Sequence, residues 1–104
     1  MTYEELEKMM GETRFFDYGK HELLVNLSTV FDCKNPHDGY EYQTEVTFAV
    51  PINWLCDYKE KENGRVWDFG DVDDWLCNKY TSEDSQPILE KAIEENKVAF
   101  WKIN

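Results

Sequence analysis

ELLVNLSTVF, residues 22–31, and YEYQTEVTFAV, residues 40–50, decide how this chain folds. In the first run Leu23, Val25, Leu27, Thr29 and Phe31 share one side, and Leu24, Asn26, Ser28 and Val30 share the other. In the second, Tyr40, Tyr42, Thr44, Val46, Phe48 and Val50 oppose Glu41, Gln43, Glu45 and Thr47. A period of two is the signature of strands, whose successive side chains point to opposite faces. Asn35-Pro36-His37-Asp38-Gly39 between them is turn-forming by composition. The two runs therefore predict a long antiparallel hairpin with one apolar face.

Outward from the hairpin, the period changes. At the N-terminus, Thr2 and Glu5 form a capping box, and Tyr3, Leu6, Met9 and Met10 recur at helical spacing up to Gly11, predicting a helix over 3–10. Arg14 to Lys20 reads as an aromatic-rich connection with room for a short strand. After the hairpin, Ile52, Trp54, Cys56 and Tyr58 alternate, which suits a strand; Pro51 followed by Leu55, Cys56 and Lys59, closed by Gly64, suits a helix. The strand is the favoured reading, because Asn63-Gly64 resembles a hairpin turn and Arg65-Val66-Trp67-Asp68-Phe69 then becomes its partner. Asp71 is expected to cap a helix containing Val72, Trp75 and Leu76. Ser85 is expected to cap another, carrying Ile88, Leu89, Ala92 and Ile93 and ending at Asn96. VAFWKI, 98–103, is a nearly continuous apolar run, expected to be a well-covered strand of the sheet.

The expected fold class is α+β: a mainly antiparallel sheet of four or five strands, with two or three short helices packed on one side, in a single domain spanning 1–104. One internal echo stands out, Asn53-Trp54-Leu55-Cys56-Asp57 against Asp74-Trp75-Leu76-Cys77-Asn78. Two copies are too few for a repeat architecture.

Composition bounds the function. The 104 residues carry 22 acidic and 11 basic side chains, a net charge of −11, with four Trp, six Tyr and six Phe. Such acidity argues against direct binding of nucleic acid or an anionic membrane, both of which need a basic footprint. The aromatic content argues for a packed core rather than disorder. Three cysteines, an odd number with no secretory leader before them, fit reduced thiols and a cytoplasmic location.

Candidate chemistry is thin. Cys33, His37, Cys56 and Cys77 offer one close ligand pair where a structural zinc site usually has two. Asp68, Asp71, Asp73 and Asp74 lack the calcium-loop spacing. Asp68-Phe69-Gly70 stands without any other kinase element. His21 and His37 sit among polar residues, with no cysteine beside a basic cluster that would activate it. No enzymatic activity, no cofactor and no metal are expected.

What remains is the acidic surface. From Asp68 to Asp84 six acids stand against Lys79 alone, and Glu90, Glu94 and Glu95 continue the charge. Glu90 and Glu94, four apart on a helix, repel one another. Asp68, Asp71, Asp73, Asp74, Glu83, Asp84, Glu90, Glu94 and Glu95 are accordingly the candidate partner-binding residues. Carboxylates spaced over a rigid surface imitate backbone phosphates and fit the Lys/Arg groove of a nucleic-acid-binding enzyme. Solubility through self-repulsion is the plain alternative use of such charge.

In size, acidity and lack of a catalytic signature the chain resembles small phage or mobile-element proteins that disable bacterial defence systems, such as anti-CRISPR and anti-restriction DNA mimics. That resemblance rests on composition and implies an inhibitor, monomeric or weakly dimeric, whose partner is a protein with a basic surface. An immunity protein against a cationic toxin makes nearly the same physical prediction. The remaining alternatives are an interaction module docking through an apolar patch at Trp54 or Trp75, and a small calcium-binding or enzymatic domain using Asp68, Asp71, Asp73 and Asp74.

Overall fold

The computed structural model describes residues 1–15, 17 and 23–104. The aromatic-rich connection read at Arg14 to Lys20 falls largely outside the described residues, as does His21. Among the described residues the order is α1 (Tyr3–Glu12), β1 (Leu24–Lys34), β2 (Glu41–Pro51), α2 (Ile52–Asn63), α3 (Phe69–Asn78), α4 (Ser82–Glu94) and β3 (Phe100–Ile103). The architecture is α+β, with four helices and an antiparallel three-stranded sheet ordered β1-β2-β3.

The hairpin forms as its alternation requires. Val25 lies opposite Val50, Leu27 opposite Phe48, Thr29 opposite Val46 and Phe31 opposite Thr44. All eight of these side chains are buried, so register is fixed by what the core covers. On the opposite face Asn26, Asp32, Lys34, Glu41, Gln43 and Glu45 are exposed. The turn closes through Asn35, whose side chain accepts from the His37 N–H at 2.9 Å, and Gly39 takes the positive φ of 73° it needs.

The strand expected at 52–59 is instead a helix, and α2 runs on to Asn63. Leu55, Cys56 and Lys59, three and four apart, make its buried stripe, and Gly64 terminates it at φ 69° with its N–H on the Glu60 carbonyl. Residues 65–68 consequently connect helices rather than pair as a strand, and Phe69 opens α3. That leaves three strands and four helices among the described residues, in place of the four or five strands and two or three helices expected.

The last apolar run is also placed differently. Phe100–Ile103 forms an edge strand on β2, with Trp101 opposite Phe48 and buried while Phe100 is exposed. Two helix starts move as well. Asp68, not Asp71, caps α3, and Thr81, not Ser85, precedes α4. Ser85 is a fully buried residue inside α4. The expected box at Thr2 and Glu5 is present, but α1 continues through Gly11 to Glu12.

Both halves of the sequence echo are helical, yet they are not equivalent. Leu55 and Cys56 are buried whereas Leu76 is half-buried and Cys77 exposed. The core joins Leu6 of α1, the inner face of the sheet, and Leu55, Val72, Trp75, Ile88, Leu89 and Ala92 of the later helices. Among the described residues no helix is long and apolar enough to cross a membrane.

Candidate functional site: an acidic helical face

Helix N-termini leave main-chain N–H groups without helical partners, and carboxylates there satisfy them while complementing the helix dipole. That rule positions several of the candidate acids. Asp68 accepts from the Asp71 N–H at 2.9 Å, and Asp71 accepts in return from the Asp68 N–H at 3.0 Å. This reciprocal box holds the Asp71 carboxyl below its ordinary value; the Asp68 main-chain bond is the largest cause, with Arg65, at 3.6 Å, adding to it. At α4 the carboxylate of Asp84 accepts from both the N–H and the hydroxyl of Thr81, each at 3.1 Å.

The other candidates divide into two kinds. Asp74 is tied to Asn78 at 3.0 Å, and Lys91 spans Glu94 at 3.5 Å and Glu95 at 3.9 Å. Glu95 also accepts from the Trp54 indole at 3.4 Å, tying the end of α4 to α2. Asp73, Glu83 and Glu90 project to solvent with no ion-pair or hydrogen-bond partner among the described residues. The nine lie on helices without converging on a point. They lie at the start and middle of α3, at the start of α4, and along the second half of α4 to its capping residue Glu95.

α2 contributes most of what the sequence reading missed. Asp57 is exposed and lines three grooves, one of them walled by Glu60, Lys61 and Arg65; the other two flank α2. One, about 400 Å³, lies between α2 and α4 and is lined by Trp54, Tyr58, Lys61 and Lys91 among others. The second, about 650 Å³, lies between α2 and the start of α3 and is lined by Asn53, Cys56, Trp67, Asp68 and Phe69. Asp57, Asp68 and Asp71 all act electrostatically on the buried Cys56 thiol, whose pKa is pushed up first by burial and then by these three charges. Tyr58 is raised in the same way, by burial and then by Glu62 and Glu90.

Lys59 is visible in the sequence only as part of a helical spacing, not for its charge. Its side chain is 7% exposed, its ammonium 4.3 Å from the Trp75 ring centroid and 5.3 Å from that of Trp67, with Glu62 at 3.3 Å. A buried cation needs such partners, and two ring faces with one carboxylate supply them. Arg65 stacks over Trp67 at 4.9 Å while pairing with Asp71. Trp75 itself is buried, which removes it as an exposed docking patch; Trp54 stays half-buried.

Cys33 and Cys56 are buried in the core and Cys77 is exposed on α3. Among the described residues no group of three or more His, Cys, Asp or Glu side chains is arranged to hold a metal ion. The arrangement is suited to receiving positive charge on a fixed helical scaffold. No family model, no curated protein and no solved structure matches the chain.

Proposed function

We propose that this chain is a stoichiometric inhibitor that presents its helical layer to the basic nucleic-acid groove of a nuclease, as a DNA mimic of the anti-defence kind. One observation carries the reading. From Ile52 to Asn96 twelve carboxylates stand against five cations, and one of those cations, Lys59, is withdrawn between two Trp rings. The solvent-facing layer is thus more acidic than its composition implies, and the capping boxes hold several carboxylates on rigid backbone.

Fixed charge favours such a role, because a preorganised acidic surface loses little side-chain entropy on docking and steers a basic partner from a distance. The partner is a protein with a basic groove, and the chain acts at one-to-one stoichiometry in the cytoplasm. The test is titration of the chain into cleavage reactions of purified RNA-guided and restriction nucleases at graded salt. Cleavage of at least one enzyme should stop near equimolar inhibitor and recover as salt rises. Full activity of every enzyme at low salt would refute the reading.

A further inference from the structure

The groove between α2 and the start of α3 has a chemistry distinct from the rest of the acidic layer. It combines the carboxylates of Asp57 and Asp68 with the rings of Trp67 and Phe69, and among the described residues no Lys or Arg lines it. Phe69, the first residue of α3, is 47% exposed, so its ring is open to a partner. The neighbouring groove differs, since Lys61 and Lys91 lie in its wall.

The same corner of the molecule already binds two of its own cations by ring and carboxylate together. Lys59 lies between Trp67 and Trp75 with Glu62 beside it, and Arg65 stacks on Trp67 while pairing with Asp71. The groove repeats that combination of ring and carboxylate, with no cation of the described residues in its wall. A guanidinium suits it better than an ammonium, because a planar fork can stack on a ring and bridge carboxylates at once.

We propose that this groove seats an arginine side chain of the partner protein, its guanidinium stacked on Phe69 and paired with Asp57 and Asp68. The assignment rests on the reading of the helical layer as a surface for a basic partner, and adds the anchor that diffuse charge lacks. Interfaces draw most of their affinity from a few such anchors, arginine and aromatic residues foremost.

The experiment is a titration of the full chain with a hexaarginine peptide and, separately, hexalysine, at low salt. It is read by amide and indole NMR shifts and by the affinity of three variants. Asp57→Asn and Phe69→Ala alter exposed residues outside the capping boxes, and Glu7→Gln removes one charge from α1 as a charge-matched control. The amides of Asp57, Phe69 and Gly70 and the Trp67 indole should move most. Asp57→Asn should weaken hexaarginine about tenfold, as loss of one charge-assisted pair implies. Phe69→Ala should weaken it about threefold, the size of one cation–ring contact. Glu7→Gln should have an effect under twofold, as expected of distant screened charge. Shifts centred elsewhere, or equal losses from Asp57→Asn and Glu7→Gln, overturn the groove and leave the acidic layer standing. Equal affinity for hexalysine overturns the guanidinium assignment. Absence of any shift overturns both the groove and the reading beneath it.

Discussion

The hydroxyl of Tyr80 engages both main-chain groups of Ser28, accepting from its N–H at 2.8 Å and donating to its carbonyl oxygen. Ser28 pairs across to Thr47, so these two groups point away from β2, toward the open edge of β1. The Ser85 hydroxyl completes the junction by contacting the same phenol oxygen. Further along that edge the Met1 ammonium reaches the Asp32 carbonyl at 3.1 Å, and Thr2 bridges to Lys34. An exposed strand edge invites pairing with another chain, and the connection between α3 and α4 closes this one.

Tyr80→Phe should therefore cost about 2 kcal/mol, because it strands two main-chain groups and the Ser85 hydroxyl while keeping the ring against Trp75. Urea denaturation checks the loss. Increased self-association at high protein concentration should accompany it, read by sedimentation.

Lys59 separates a packing role from a charge role. Lys59→Met keeps the aliphatic stem between Trp67 and Trp75 and should change stability by about 1 kcal/mol or less. Lys59→Glu sets a carboxylate against two electron-rich ring faces beside Glu62 and should destabilise by about 3 kcal/mol or more. Thermal melts followed by tryptophan fluorescence distinguish the two outcomes.

The Asp71 carboxyl gives the acid limb of stability a defined contributor. Its folded pKa lies below its ordinary value of 3.8, so its contribution is complete above that value and is lost as pH falls through the folded one. Asp71→Asn should flatten the fall in melting temperature below about pH 4 relative to the native chain, while other carboxylates continue to titrate. An unchanged acid limb would contradict the capping account.

Thiol reactivity should follow burial. Cys77 is exposed on α3, whereas Cys33 and Cys56 are 2% and 7% exposed and the Cys56 thiol is held protonated by burial and nearby carboxylates. Iodoacetamide should modify Cys77 first, and the other two only when denaturant opens the core. Mass spectrometry of partial digests reads the order.

The hairpin was legible because burial on one face imposes a period of two on Val25 to Phe31 and on Thr44 to Phe48. α2 was misread for a specific reason. Ile52, Trp54, Cys56 and Tyr58 alternate by chance, and Asn63-Gly64 serves equally as a hairpin turn or a helix terminus, since both need a positive φ. The decisive clue was Lys59 falling in line with Leu55 and Cys56, which helical spacing explains and strand spacing does not.

Helix starts were displaced by residues that can act twice. Ser85 has the chemistry of a cap, yet it lies buried within the helix and turns its hydroxyl to Tyr80. Of the candidate site, sequence located the acidic layer in α3 and α4 but not its junction with α2. Asp57 belongs to that junction only because 52–63 is helical, and the pairing of Lys59 with Trp67 and Trp75 joins positions that no local pattern connects.

The central claim is that the helical layer occupies the place of nucleic acid on a basic enzyme, and competition tests it most directly. A nuclease inhibited by the chain is loaded with fluorescent duplex and titrated with the native chain or with Asp73→Lys/Asp74→Lys, watching anisotropy. The native chain should displace the duplex fully, and the charge-reversed variant should displace it about tenfold more weakly. Binding of the chain to an enzyme that still holds its duplex, with no effect of the reversal, would contradict it.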